Sequence, residues 1–295
     1  MITFSVLNKS NAKKLASEFR DTKYAIDVLK SMIDVSSKEI EVAVCGYCGL
    51  LLFRIYDGEY LFVYPVEVDS AVRDTDALFK ISEYALWEEI GLTFTDVPEE
   101  EIEYLNSVFE RTEVLASDGE VSTVCVNSAF FEIPKSLCVK LKNAEITRLK
   151  NDDIDAYKRL NTDENVNKYW GFARENEELK QKPEYFIDEI RREEDRRASV
   201  TLAIRQDGGL IGELQFFRFD YALGAEISIR IFKEHWGKGI AREVVSWAVE
   251  YLKNNGVKRL NARVKIQNDA SIRLFSSLMP VKYEEDGIRY FSIEL

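Results

Sequence analysis

The residues best suited to chemistry in this 295-residue chain are consecutive: His235-Trp236-Gly237-Lys238-Gly239-Ile240-Ala241-Arg242. Glycines at 237 and 239 remove the Cβ atoms that would keep an anion away from main-chain N–H groups. The residues that follow, with Val244, Val245, Ala248, Val249 and Leu252 at helical spacing, predict an amphipathic helix whose positive end points back at the loop. That combination predicts a phosphate-binding turn, with Lys238 and Arg242 adding positive charge. Two familiar phosphate loops do not fit. GxxxxGK[ST] fails on spacing and on the missing hydroxyl residue, and GxGxxG fails because Arg242 stands where its third glycine belongs.

Other reactive side chains are sparse. His235 is the sole histidine, which excludes histidine-rich metal sites and leaves a Ser-His-Asp arrangement no other base; its residue type suits a loop side chain packed near Trp236 as well as a base or phosphate partner. Cys45 and Cys48 form a CxxC, and Cys125 and Cys138 complete four thiols. Half a zinc site or a redox pair is one reading. The apolar, strand-like surroundings of the CxxC favour ordinary core cysteines, and no metal is expected.

The elements around the loop must position it. Ala225 to Ile231 alternates, with Ile227, Ile229 and Ile231 on one side and Glu226, Ser228 and Arg230 on the other, as a two-faced strand does. Upstream, Ala144 to Lys150 reads as a strand, Asp152 to Leu160 and Glu164 to Trp170 as helices, and Pro183 to Arg197 as a charged helix with Pro at its first turn. Val200 to Arg205 and Leu210 to Phe219 read as a hairpin across Asp207-Gly208-Gly209. Downstream come a strand (Arg259 to Lys265), a helix (Asp269 to Leu278) and two closing strands (Val281 to Glu285, Ile288 to Glu294).

The loop resembles motif A of the GNAT acyl-CoA N-acetyltransferases, (Q/R)xxGx(G/A), with Gly239 and Ala241 in its last two fixed places and Trp236 where Gln or Arg is usual. The WGKGxA form is similar to the branch that includes ribosomal-protein N-terminal acetyltransferases. Asn268-Asp269-Ala270-Ser271-Ile272-Arg273-Leu274-Phe275 resembles a second family motif, NxxSixxL(Y/F). The order of elements from 143 to 295 is similar to the whole GNAT fold, a mixed and mostly antiparallel sheet flanked by helices.

The resemblance implies acetyl transfer from acetyl-CoA to a primary amine by direct attack in a ternary complex. Main-chain N–H groups of Trp236, Gly237, Lys238, Gly239, Ile240 and Ala241 would cradle the pyrophosphate, with Lys238 and Arg242 as cations. Asn268 would bond the pantetheine arm or a backbone carbonyl near it, and Ser271 would lie near the phosphates; Asn268 also suits a helix N-cap. A backbone N–H at Ile231 or Phe232 would meet the developing oxyanion. An attacking amine must lose a proton, so Glu226 is the first candidate base and Glu213 the second, with a cross-strand ion pair as the other reading of Glu226. Tyr169, Trp170, Gly171 and Phe172, with Phe216 to Phe219 and Phe217 among them, would wall the acceptor pocket, or else fill core. Phe275 departs from the family pattern, since it replaces a tyrosine that protonates the leaving thiolate. Tyr283 and Tyr290 could substitute. The departures at Trp236 and Phe275 leave a non-catalytic acyl-CoA-binding or sensing protein as the alternative.

Length and charge bound the rest. The chain is about twice a typical domain, so a mixed α/β domain over 1–142 is expected to precede the acetyltransferase-like domain at 143–295. Its elements read as helix from Ser10 to Met32, strands from Ile40 to Phe53 and Tyr60 to Val68 about an Asp57-Gly58 turn, helix from Asp74 to Glu89, strand from Leu92 to Asp96, helix from Glu99 to Phe109 and strand from Val121 to Ile133. LTFTDVPEEEIEYL resembles segments of degenerate GNAT-like modules, and the half is read as a partial GNAT-like fold without a cofactor loop. It holds 14 Lys+Arg against 25 Asp+Glu, net −11 of the chain's −12. That balance argues against nucleic acid and would attract a cationic amine. No apolar run is long enough to span a bilayer and no signal-peptide pattern opens the chain, so a cytoplasmic protein without a membrane partner is expected, and a homodimer is compatible with the sequence.

Overall fold

The computed structural model describes residues 3–19, 22–35, 39–45, 50–55, 60–65, 75–88, 90–170 and 184–295. The Asp57-Gly58 turn, Cys48, Gly171, Phe172 and Pro183 lie outside them. Two compact units emerge: Met1–Ser128 with Asp220–Ala222, and Ala129–Phe219 with Leu223–Leu295. Residues 129–142 cluster with the second unit because Phe131 and Ile133 are buried in its core and Val139 pairs in its sheet. No helix among the described residues is long and apolar enough to cross a membrane.

The first unit runs β1 (Ser5–Val6), α1 (Ala12–Ala16), α2 (Thr22–Val35), β2 (Ile40–Cys45), β3 (Leu50–Ile55), β4 (Tyr60–Pro65), α3 (Thr75–Trp87), β5 (Gly91–Pro98), α4 (Glu99–Val108), β6 (Thr112–Ser117) and β7 (Val121–Val126). Its sheet has the order β1-β2-β3-β4-β5-β7-β6, with β4 and β5 parallel and the other neighbours antiparallel. The apolar run of β3 is explained by burial on both faces. Leu50 and Leu52 join the core under α3 and α4, while Leu51 and Phe53 join the core under α1 and α2. That double burial hid a hairpin in the sequence. The stretch read as one strand from Ile40 to Phe53 is two antiparallel strands, with Val42 opposite Phe53. The expected strand from Val121 ends at Val126, and the preceding β6 has no clear alternation because it is an edge strand exposed along most of its length.

The second unit runs β8 (Cys138–Lys140), β9 (Glu145–Arg148), a 3-10 turn at Asn151–Asp153, α5 (Ile154–Thr162), α6 (Glu164–Asn167), α7 (Glu184–Asp195), β10 (Ser199–Gln206), β11 (Gly209–Phe217), β12 (Gly224–Ile231), a 3-10 turn at Lys233–His235, α8 (Ile240–Asn254), β13 (Arg259–Lys265), α9 (Asp269–Ser276), β14 (Val281–Glu285) and β15 (Ile288–Glu294). Its sheet order is β14-β15-β13-β12-β11-β10-β9-β8, with β12 and β13 parallel. The β10–β11 turn takes positive φ at Asp207 (52°) and Gly208 (80°), the twist a two-residue hairpin needs. One sheet face carries Leu202, Ile204, Leu214, Phe216 and Ile227 against Val244, Val245, Ala248 and Leu252 of α8. The opposite face is covered in part by α5, whose Tyr157 and Leu160 pack with Ala203, Leu210 and Phe232.

Setting aside the extra edge strand β8, the second unit repeats the first. Helices follow its first strand, a hairpin and a third strand come next, and a helical crossover then joins two parallel strands. A further helix leads to two last strands that are placed in reversed order at the edge. The first half therefore carries the whole element order rather than the partial copy read from the sequence. Both crossovers are strand-helix-strand units, which bring parallel neighbours together.

Candidate functional site

The glycine loop lies between β12 and α8. Gly237 and Gly239 have φ of 73° and 79°, in the left-handed region, and a Cβ placed on either would meet nothing within 4 Å. The glycines are thus set by backbone conformation, and the space above them is open. Gly239 is the N-cap of α8 and makes no side-chain cap bond, so the first-turn N–H groups of the helix keep their capacity for an anion. Ile240 anchors the helix start in the core, while Lys238 and Arg242 are exposed and Ala241 is half-buried. The residues fit a pyrophosphate. Trp236 is 48% exposed, yet its indole Nε1–H donates to the Ile231 carbonyl at 2.7 Å. The His235 Nδ1 is 2.9 Å from Gln206 Oε1, which ties the loop to the end of β10.

Next to the loop the two central strands part. β12 and β13 pair over three residues, Gly224 to Glu226 with Arg259 to Asn261, and then diverge. Phe232 N–H donates to Ile211 O at 2.9 Å, so it is already engaged. Antiparallel ladders alternate, hence Arg230 and Ser228 also direct their main-chain groups toward β11, and Ile231, Ile229 and Ile227 direct theirs toward the gap. Of the two expected oxyanion donors, Ile231 has the suitable direction. Close approach of β11 depends on Gly212, where a Cβ would stand 2.2 Å from the Arg230 carbonyl oxygen.

Glu226 is the last residue of β12 to pair with β13 and is 8% exposed. Its Oε1 accepts from Arg263 Nε at 2.7 Å and its Oε2 lies 3.5 Å from Arg218 Nη1, the cross-strand ion pair that was one of its two readings. Arg263 lies on β13 just past the last paired step, so this ion pair spans the mouth of the gap.

Glu213 is held on every side. Buried to 2% exposure, it accepts from Tyr157 Oη at 2.5 Å and from Arg230 Nε at 2.8 Å. Arg230, 6% exposed, also donates to Asn167 Oδ1 at 2.7 Å and Asn161 Oδ1 at 3.1 Å, and its guanidinium stacks 4.3 Å from the Trp170 ring centre. Burial, and then the charge on Glu213, hold the Tyr157 hydroxyl well above its ordinary pKa. This network joins α5 and α6 to β11 and β12. Tyr157, Asn161, Asn167 and Arg230 were not singled out in the sequence. The signal for Arg230 was its alternation with Glu226 and Ser228; the helix residues had none until the register placed Glu213 opposite Arg230.

The aromatic candidates divide. Trp170 joins the Arg230 network, and the Tyr169 ring lies 5.1 Å from the Lys168 ammonium. Phe216 and Phe219 are core residues packed with Phe131, whereas Phe217, on the other face of β11, stands opposite Glu226.

On α9, Asn268 is the N-cap and its Oδ1 accepts from Ser271 N at 3.2 Å. The cap uses the oxygen and not the Nδ2 donor. Phe275 is buried with its ring 5.9 Å from that of Phe291, so no hydroxyl stands at that position. Tyr283 and Tyr290 stack on one another at 4.3 Å, with Tyr290 opposite Arg263 across the sheet. Cys45 lies on β2, Cys125 on β7 and Cys138, exposed, on β8; among the described residues no group of three potential metal ligands occurs.

A curated relative, named as the uncharacterized N-acetyltransferase p20 of Bacillus licheniformis, is 30% identical over 90 residues, which are 30% of this chain and 49% of that protein. The chain thus spans about half the length of that relative. Among solved structures, the spermidine N-acetyltransferase of Vibrio cholerae, in complex with CoA and spermine, is similar at 19% identity and a TM-score of 0.44, covering 52% of this chain and 96% of that one. RimJ of Mycobacterium smegmatis, in complex with CoA-disulfide, is similar at 15% identity and a TM-score of 0.45, covering 51% and 81%. Residues 144–278, within the second unit, match the family model described as the acetyltransferase (GNAT) domain.

Proposed function

We propose that the second unit transfers an acetyl group from acetyl-CoA to a primary amine, a polypeptide N-terminus or a small-molecule amine, by direct attack in a ternary complex. One observation carries the reading: β12 and β13 part after three paired residues, and the Gly237–Gly239 loop with the N-terminus of α8 follows the open end of β12. A gap between strands admits an extended chain to main-chain hydrogen bonding, while the loop offers N–H groups to a pyrophosphate. Acetyl-CoA combines those two parts. The amine nitrogen would attack the thioester carbonyl carbon, the C–S bond would break, and CoA thiolate would leave while the amine loses a proton. Ile231 N–H is the candidate for the carbonyl oxygen, and Glu226 the candidate base. Glu213, enclosed by Tyr157 and Arg230, is better suited to fixing α5 and α6 than to receiving a proton.

A thiol-release assay over peptides, polyamines and aminoglycosides tests this reading. Release of CoA with at least one amine class is expected. Glu226→Gln should lower turnover by about 100-fold, the usual size of a lost general base; unchanged turnover across pH removes Glu226 from that role. A second reading rests on buried Phe275, where no side-chain acid is available. A protein that only senses acyl-CoA would bind acetyl-CoA and release no thiol with any amine.

A further inference from the structure

The first turn of α8 contains an acid, Glu243, in a helix whose N-terminus is assigned to phosphates. A carboxylate there is drawn to the helix's own N–H groups and to neighbouring cations, in competition with any external anion. The structure has an answer to it. In the tight turn between β8 and β9, where Leu141 N–H donates to Ala144 O, Asn143 N–H donates to Glu243 Oε2 at 3.0 Å and Asn143 Nδ2 donates to Glu243 Oε1. Both carboxylate oxygens are satisfied by one neutral residue. The same turn and the first two turns of α8 line a groove of about 660 Å³ that includes Lys142, Gly239, Arg242, Glu243 and Trp247. Neither Lys142 nor Arg242 makes an ion pair among the described residues.

We propose that Asn143 is a positioning residue for the phosphate end of the cofactor: by holding Glu243 with neutral donors, it leaves Lys142 and Arg242 un-neutralised for the cofactor's phosphates. A lysine or arginine at 143 would also satisfy Glu243, but it would add a bulkier cation at the turn; asparagine meets both oxygens from main chain and side chain together. Lys142 thereby joins the residues that meet the cofactor. The inference rests on the acetyl-CoA reading given above.

The test is titration of acetyl-CoA and of S-acetylpantetheine, which lacks phosphates, into the full chain and its N143A, E243Q and N143A/E243Q variants. N143A is expected to weaken acetyl-CoA about 3- to 10-fold, the effect of one misplaced charge at a helix N-terminus, and to leave S-acetylpantetheine unchanged. Adding E243Q to N143A is expected to restore acetyl-CoA binding to within about twofold of wild type, since the competing charge is gone. A double variant as weak as N143A, or equal weakening of both ligands, makes Asn143 a packing residue and overturns the proposal. If the wild-type chain fails to bind acetyl-CoA, the functional reading falls first and this inference with it. The rescue also separates a charge effect from a folding defect, because a misfolded N143A gains nothing from E243Q.

Discussion

Asp153 and Arg205 meet inside the second unit, with side chains 8% and 6% exposed. Arg205 Nη1 and Nη2 donate to the two carboxylate oxygens at 2.7 and 2.6 Å, Nε donates to Thr147, and Lys150 N–H donates to Asp153 Oδ2. Burial works to raise the Asp153 pKa, but the Arg205 and Lys150 donors outweigh it and hold the group below its ordinary value near 3.8. A depressed folded-state pKa means that this pair's stabilisation is fully present above about pH 4 and is lost as pH falls through the folded value. Asp153→Asn should cost about 3–5 kcal/mol at neutral pH, because it leaves Arg205 buried without its counter-charge. The difference from wild type in denaturant melts should shrink below about pH 4; a constant difference would show that the pair contributes through shape alone. Neither residue stood out in the sequence, because an aspartate at a helix start and an arginine in a strand are ordinary until the fold brings them together. The glycine loop was legible for the opposite reason: its chemistry depends on contiguous residues. Glu213 and Glu226 lie between these cases. Their strands could be read, but their partners Tyr157, Arg230 and Arg263 come from separate elements.

Among the elements, the β11–β12 pair is the most sensitive to side-chain size. Gly212 lets β11 approach β12 beside Arg230 and Ile231, and the Trp236 indole bonds the Ile231 carbonyl from the loop. Gly212→Ala should destabilise the second unit by about 1–3 kcal/mol, as overpacking does. It should also weaken acetyl-CoA more than an alanine at exposed Gly209, whose added Cβ meets its nearest neighbour at 3.6 Å. A thermal melt and titration check both effects, and equal behaviour of the two variants would show that the approach at Gly212 is not needed. Element order from 144 onward was legible because most strands there have one apolar and one polar face, and Asp207-Gly208 marks a turn. The first half was harder to read: β3 is apolar on both faces and β6 lies exposed at an edge, so neither shows a clean two-residue period. Its repetition of the second unit's topology survives in strand order and not in residues.

At the scale of the molecule, the two units share a strand order, while the two halves of the sequence differ in glycine pattern and in charge. The first half of the sequence has no glycine pattern like that of 237–241 and carries a net charge of −11, against −1 for residues 143–295. An acidic half would raise the local concentration of a cationic acceptor and repel an anionic cofactor. The proposed function accordingly places acetyl-CoA on the second unit, at one site per chain. Isothermal titration of acetyl-CoA into the full chain tests this account most directly. Saturable binding of one equivalent per chain, lost when bulky side chains are placed at Gly237 and Gly239, is the predicted result; no binding, or binding indifferent to those two positions, would contradict it.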